Sequence, residues 1–218
     1  MMRTFGYPDL LFILQAAQWT IALSLIAFIG GAIGGLAVAL ARTSDRPALK
    51  HIASGFIQIF QGTPLLLQLF LVFFGAPVLG LEISPWIAAG IALVLNTSAF
   101  LGQIWRGCIE AIPRGQWEAA EALGLHYWVR MRKVILPQAF KIALPPTVGY
   151  MVQVIKGTSL AAIIGFTEVT RAGQIINNAT FEPLLVFGAV GAIYFLLCWP
   201  LSLLAGRIER RQAAAPAR

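Results

Sequence analysis

Five long runs of apolar residues, separated by polar segments, dominate the chain. The runs cover residues 10–41, 52–81, 83–105, 142–167 and 183–206, and they hold no Asp, Glu, Lys or Arg except Lys156 in the fourth. Each is longer than the roughly 20 residues that a helix needs to cross a bilayer. Since an open sheet would leave backbone groups unpaired in lipid, the pattern predicts an all-α membrane protein with five transmembrane helices.

Composition supports this fold class. Of 218 residues, 58% are hydrophobic and only 11% are charged, outside the range of ordinary soluble domains. We find no internal repeat and no change of composition that would mark a second domain. Residues 1–218 are therefore interpreted as one transmembrane domain.

The basic residues predict the orientation. Thirteen of the 16 Lys and Arg residues lie in segments 42–50, 106–141 and 207–218, which the positive-inside rule assigns to the cytoplasm. The turn near Glu82 and segment 168–182 are mainly acidic and are expected outside. Five spans then place the amino terminus outside and the carboxyl terminus in the cytoplasm. Because the net charge of +7 is divided among loops beside membrane lipid, it does not indicate a nucleic-acid partner.

The side chains needed for catalysis are scarce. The sequence has two histidines, His51 and His126, and no G-x-x-x-x-G-K-[ST] phosphate loop. We therefore expect no catalytic residue, no metal and no cofactor in this chain. Every Asp and Glu is expected at a helix end or in a loop, whereas proton-driven carriers bury acids within their spans. Any transport would then draw its energy from a partner.

The segment of about 113–137, between the third and fourth spans, is unusually polar. On a helical wheel Ala119, Ala120 and Leu123 share one arc, and Gly124 suits the end of a helix. Pro137 is predicted to end a second short helix.

In that second helix Trp128, Met131 and Ile135 share one face, with Arg130 and Lys133 on the opposite side. The pattern leaves two interpretations open. The segment is either an amphipathic loop on anionic lipid or a pair of short helices that dock onto a cytoplasmic protein.

The order of residues distinguishes the two. Glu118-Ala119-Ala120, Gly124, Val134 and Leu136-Pro137 stand at the spacing of the motif E-A-A-x3-G-x9-I-x-L-P, with valine for isoleucine as a conservative departure. Further matching stretches are QGTPLL from Gln61, IPRGQ from Ile112, ILPQA from Ile135, TSL from Thr158 and IERR from Ile208. From about Ala17 to Arg211 the chain resembles the permeases of bacterial ABC importers, in particular the polar amino-acid uptake family.

That resemblance implies a multi-pass permease of the bacterial inner membrane. Its partners would be a second permease, identical or a sister chain, a periplasmic binding protein, an amino-acid substrate, and two ATP-binding subunits that use ATP and Mg²⁺. The segment of about 113–137 would form the cytoplasmic coupling helices that contact those subunits. The residues carried over to this contact are Glu118, Ala119, Ala120 and Gly124, and Arg130, Arg132 and Lys133 would be flanking electrostatic contacts.

A translocation pathway needs polar groups inside the bundle. The candidates are Gln61, Thr63, Asn96, Ser98, Gln153, Lys156, Thr158 and Ser159. Each uncharged member could equally bond between packed helices. Lys156 lies near the middle of its run, where a lysine costs about 2.5 to 3.5 kcal/mol, so we expect it to face a cavity or a subunit interface rather than snorkel.

Departures from the family pattern bear on the substrate. The chain has Gln61 where arginine is common, Gly157 where aspartate is common, and Gly102-Gln103 where Ala-Glu is common. The missing acids weaken the case for a cationic amino acid and favour a neutral or acidic one. The alternatives are a permease for another small solute or, from a different class, a membrane enzyme or structural membrane subunit.

Glycine and proline suggest two local features. Gly30, Gly31, Gly34 and Gly35 form overlapping G-x-x-x-G pairs, which indicate a close helix contact in the first span. A break in the second span at Gly62 and Pro64 would be either a packing kink or an interruption beside the transport site.

Overall fold

The computed structural model describes residues 4–213, and the elements it contains there are helices. They are α1 (Tyr7–Thr43), α2 (Pro47–Gly62), α3 (Leu65–Val78), α4 (Pro85–Glu110), α5 (Arg114–Ala122), α6 (Tyr127–Arg130), a π-helical stretch (Met131–Ile135), α7 (Leu136–Thr158), a 3₁₀ turn (Ser159–Ile164), α8 (Val169–Thr180) and α9 (Pro183–Ala213). The helical fold class is confirmed.

Four helical segments of residues 4–213 are long and apolar enough to cross a membrane, or five if the bent pair α2 and α3 counts as one span. The four are α1, α4, the continuous helix from Tyr127 to Ile164, and α9. The second predicted span is the bent pair, whose axes turn by 101° between Gly62 and Leu65. The predicted break is thus confirmed.

The break follows from Pro64. A proline disfavours helical geometry in the residue before it, and Thr63 is extended, with φ −116° and ψ 142°. Proline also has no N–H to continue the helix, so Pro64 becomes the cap from which α3 starts.

The glycines of α1 bring this helix unusually close to α4. A Cβ added to Gly31 would collide with Thr97, and one added to Gly35 would lie 2.9 Å from Leu101 Cβ. The close contact predicted from the G-x-x-x-G pairs is confirmed. It lets the side chains of α4 pack directly against the backbone of α1, since the glycines leave room for them there.

At the end of the bundle next to α5 and α6, apolar side chains of α1, α4, the segment after α4, the π-helical stretch and α7 form one cluster, which we call the inner cluster. Its buried members are Ala39, Ile109, Ile112, Met131, Ile135 and Ala139. Trp105, Trp117, Tyr127 and Leu136 pack against it. The inner cluster joins the polar segment to the membrane bundle.

The prediction that Pro137 ends a helix is wrong. The chain is helical from Tyr127 to Thr158, because the turn before Pro137 is π-helical and Leu136 N–H bonds the Met131 carbonyl. A proline ring clashes with the carbonyl four residues earlier in an α-helix, and the wider π turn moves that carbonyl away.

Segment 168–182, treated above as an external connection, folds into α8. Val169, Ala172 and Ile176 of α8 are buried in a cluster with residues of α1 and α9. The apolar residues of α8 recur at helical spacing among polar ones, so the acidic character of the segment did not reveal the helix.

Candidate functional site

The polar segment folds into two short helices, α5 and α6, joined by a tight turn at Gly124. Gly124 has φ +69°, a left-handed conformation that suits glycine. Its N–H donates to the Glu121 carbonyl at 2.8 Å, and the Leu125 N–H donates to the Ala120 carbonyl at 3.1 Å. These two hydrogen bonds form a Schellman cap, so the predicted role of Gly124 at a helix end is confirmed.

The alanine arc of α5 is divided between two environments. Ala120 is 3% exposed, whereas Ala119 and Glu118 are exposed and Leu123 is 77% exposed. Because α5 packs against the π-helical stretch, Ala120 lies on its inner side. The outer side therefore presents an acid, an alanine and a leucine to solvent or to a partner.

Arg130 ties the two short helices together. Its guanidinium carbon lies 5.5 Å from the centre of the Trp117 ring and 6.0 Å from that of Tyr127. Its Nη1 lies 3.5 Å from a carboxylate oxygen of Glu121. These contacts join α5 to α6, because cation–π attraction and an ion pair act on the same side chain.

Arg132, Lys133 and Trp128 lie on the other side of this unit and are exposed. Placing Trp128 on one face with the fully buried Met131 and Ile135 was wrong, since Trp128 is 61% exposed. The π-helical stretch changes the angle between successive residues, so a wheel drawn for an α-helix does not hold across it.

The candidate pathway residues are not gathered into one site within a single chain. The exposed members are Gln61, Gln153 and Lys156, the half-buried ones are Thr63 and Ser159, and the buried ones are Asn96, Ser98 and Thr158. The buried members have hydrogen-bond partners within the fold, as described next.

Asn96 belongs to a network that closes the break between α2 and α3. Gln68 Nε2 donates to the carbonyls of Phe60 at 2.8 Å and Thr63 at 3.0 Å, which the break leaves without helical partners. Asn96 Nδ2 donates to Gln68 Oε1 at 3.1 Å, and Tyr150 contacts the Asn96 amide from α7 at 3.5 Å.

Ser98 and Thr158 bond to their own helices. Ser98 Oγ donates to the Val94 carbonyl at 2.7 Å and packs against Gly34 in the contact between α1 and α4. Thr158 Oγ1 donates to the Ile155 carbonyl at 2.7 Å. Such bonds satisfy a hydroxyl inside a membrane bundle without a ligand.

Gln153 and Lys156 lie one turn apart on an exposed face of α7. Among the described residues, no carboxylate forms an ion pair with Lys156. A charged side chain at this depth is costly toward lipid, so this face is the one that best fits a polar path or a second chain.

A buried carboxylate, which sequence analysis had assigned to an external connection, lies where α8 begins. Glu168 is fully buried; its Oε2 accepts from Tyr194 Oη at 2.6 Å and from Thr20 Oγ1 at 3.5 Å. Its Oε1 accepts from the Arg171 N–H at 2.9 Å, as a helix cap. Burial raises the pKa of the Glu168 carboxyl, and the hydrogen bond from Tyr194 opposes that shift.

Sequence analysis missed Gln68 and Glu168, and each had a partial signal. Gln68 is the polar residue of an otherwise apolar turn directly after Pro64, where freed carbonyls need donors. Glu168 stands three residues after Gly165, at the start of a segment with helical spacing. Within residues 4–213, no three His, Cys, Asp or Glu side chains form a group that could hold a metal.

Comparison with known families gives a match over most of the chain. Residues 31–214 match the model of the family described as "Binding-protein-dependent transport system inner membrane component". This range includes the segment of α5 and α6 and the spans from the second half of α1 onward.

Individual proteins are similar over nearly their whole length. The chain is 35% identical over 202 residues to the probable amino-acid ABC transporter permease YckA of Bacillus subtilis, covering 93% of this chain and 89% of that one. It is 35% identical over 207 residues to the glutamine transport system permease GlnP of Escherichia coli, covering 94% of each. It is 39% identical over 194 residues to the L-cystine transport system permease TcyB of Bacillus subtilis, covering 88% and 83%.

Solved structures of ABC transporters have a similar fold. A chain of an amino acid ABC transporter crystallised with histidines superposes with a TM-score of 0.87 at 33% identity, covering 96% of this chain and 100% of that one. A chain of the methionine ABC transporter MetNI in an inward-facing conformation superposes with a TM-score of 0.82 at 20% identity, covering 95% and 99%, which indicates a shared fold.

Proposed function

Since this chain belongs to the family of binding-protein-dependent transport system inner membrane components, we propose that it is the permease subunit of an ATP-driven importer for a polar amino acid. As a family member it is a multi-pass inner-membrane transporter subunit rather than an enzyme. The proposal of an amino-acid substrate rests on one observation: nearly the whole chain is similar to permeases named for glutamine and cystine.

The orientation has the amino terminus outside and the carboxyl terminus in the cytoplasm. The distribution of Lys and Arg supports this arrangement, because 13 of the 16 lie in segments 42–50, 106–141 and 207–218. Glu82 and α8 then lie on the extracytoplasmic side, where a binding protein delivers substrate.

The segment of about 113–137 is the coupling segment, which contacts two ATP-binding subunits that hold ATP and Mg²⁺. Its exposed residues Glu118, Ala119 and Gly124 make the close contact, and Arg132 and Lys133 flank it. Ala120 and Arg130 act from within, since they hold α5 against the π-helical stretch and α6.

The pathway forms between this chain and a second permease. The exposed face of α7 with Gln153 and Lys156 supplies polar groups to it, and Gln61 at the broken helix is a further candidate. A neutral or acidic amino acid is the favoured substrate, because the chain has Gly157 and Gln103 where the family commonly has acids.

One experiment tests the coupling role by reversing a charge. Glu118→Lys should reduce co-purification of the ATP-binding subunits and uptake, because it places a base in a contact that has an acid. Glu82→Lys is the matched control for co-purification, since Glu82 is also exposed but lies at the opposite end of the bundle. Equal, normal co-purification of the ATP-binding subunits with both variants would rule out docking through Glu118.

A second experiment tests the substrate. The permease is reconstituted with its ATP-binding subunits and binding protein, and ATP hydrolysis is measured with a panel of amino acids. We expect stimulation by a neutral or acidic amino acid. Stimulation by arginine or lysine alone would overturn the favoured class, and stimulation only by another small solute would support the alternative permease.

A further inference from the structure

An apolar groove runs between α1, α4 and α7. It has a volume of 360 Å³. Its rim includes Leu36, 44% exposed, and Phe140, 65% exposed, while Ala139 and Ala143 form a buried floor. Small residues below large exposed ones make a groove that is open at the side and deep enough for a slender apolar ligand.

The lining of the groove is mainly apolar, and its polar groups are few. Trp105 Nε1 donates a hydrogen bond to Thr147 Oγ1 at 2.8 Å, so these two groups satisfy each other. A cavity lined mainly by apolar side chains holds water poorly and takes apolar ligands instead.

The length of the groove matches one leaflet of a membrane. The stretch of α7 that lines it, from Leu136 to Thr147, is about 16 Å long at 1.5 Å per residue. This is roughly half of a hydrocarbon core of about 30 Å. Leu136 lies at the end of the span next to the coupling segment, so the groove occupies the leaflet on that side.

The groove faces away from the polar face of α7. On a helical wheel Phe140 and Leu144 lie about 180° from Gln153 and Lys156. If the polar face meets the pathway or the second permease, the groove meets lipid. This separates the occupant of the groove from the transported solute.

We propose that the groove binds one acyl chain of a phospholipid of the cytoplasmic leaflet. Trp105, Ile109, Leu136 and Ala139 belong both to the groove and to the inner cluster that supports the coupling segment. A bound acyl chain therefore contacts the residues that α5 and α6 pack against. By filling the groove it holds the inner cluster in place and so supports coupling. The inference rests on the proposed function for the side of the membrane and for the meaning of coupling.

Photo-cross-linking tests the site. The complete transporter is placed in nanodiscs containing phosphatidylethanolamine with a diazirine at the middle of one acyl chain, and adducts are mapped by mass spectrometry. We expect adducts concentrated on the lining of α4 and on residues 136–147 of α7. Adducts spread evenly over all spans would overturn the proposal, as would their absence from the groove because a second copy covers it.

A filled groove provides the matched comparison. Ala143→Phe places a ring on the floor, and Ala192→Phe makes the same change at an exposed position of α9. The groove adducts should be lost in the first variant and kept in the second. Equal adducts in both contradict a defined site, and Ala143→Leu serves if the phenylalanine variant does not assemble.

ATP hydrolysis separates this inference from the proposed function. After lipid removal, added phospholipid should restore substrate-stimulated hydrolysis in the parent transporter but change it little in Ala143→Phe. The same response in both would overturn the link between groove and coupling. A parent transporter without any stimulated hydrolysis would contradict the importer function, while the adduct map would still decide whether the groove binds lipid.

Discussion

Two joints in this bundle hold helices together by opposite means. Between α1 and α4, the glycines of α1 leave room for side chains of α4 to pack on the α1 backbone, with Thr97 against Gly31 and Leu101 against Gly35. Between α2 and α3, the backbone is broken, and the side chains of Gln68 and Asn96 replace the lost helical bonds. The first joint depends on the absence of side chains at the glycines, and the second depends on the side-chain amides of Gln68 and Asn96.

The difference teaches where a membrane helix tolerates change. A contact made by glycine fails when any side chain is added, because no room exists for it. A joint made by amides fails when a donor is removed, because an unpaired carbonyl in an apolar medium is costly. The following substitutions test both statements.

The largest effect is expected from Gly31→Leu. The added side chain collides with Thr97, so the free energy of unfolding should fall by about 3 kcal/mol, the upper part of the usual range for overpacking. Denaturant titration of the solubilised protein measures this. Gly55→Leu is the control, because a Cβ at Gly55 meets nothing within 4 Å; equal losses in both would contradict the close joint.

Glu168→Ala extends the comparison to a third joint, between α1, α8 and α9. It leaves the Tyr194 hydroxyl and the Arg171 N–H without their acceptor, so stability should fall by about 2 kcal/mol. Glu168→Gln keeps an acceptor oxygen and should recover part of the loss in the same titration. If glutamine were as damaging as alanine, the charge rather than the hydrogen bonds would hold this joint.

Gln68→Leu should cost about 1 to 2 kcal/mol, since it keeps the volume but removes the donor to two carbonyls. Its effect should not add to that of Asn96→Ala, because the two side chains bond each other. A double-mutant cycle on unfolding free energies measures the coupling. Full additivity would mean that the break is held by something other than this network.

The smallest effect is expected from Ser98→Ala. Its hydroxyl bonds only the carbonyl of its own helix in the described structure, so stability should stay within about 0.5 kcal/mol and uptake should be unchanged. Uptake kinetics provide the measurement. A large rise in the KM for substrate would instead place Ser98 in the pathway.

Features encoded by local spacing could be read from the sequence. The apolar runs predict the spans, the glycine pairs predict the joint of α1 and α4, and Pro64 predicts the break. The turn at Gly124 was equally accessible, because a glycine after a short helix has one common role. Each of these depends on a few neighbouring residues.

Features that depend on distant partners could not be read. Asn96 is polar and intramembrane, as a pathway residue would be, yet its bonds go to Gln68, 28 positions away. Glu168 accepts hydrogen bonds from Thr20, near the start of the chain, and from Tyr194, near its end, and no spacing rule connects these residues. The π-helical stretch was not predicted either. Its wider turn changes the angular position of Trp128 relative to Met131 and Ile135 and lets Pro137 stay within the helix, and the α-helical period of the sequence does not describe this.

The uninterrupted helix from α6 into α7 has a mechanical consequence. From Tyr127 to Lys156 it is a rod of about 44 Å at 1.5 Å per residue. A π turn holds one more residue than an α turn, so moving it along the rod would rotate the intervening residues by about 100°. The rod therefore connects α6 directly to the face of α7 that bears Gln153 and Lys156.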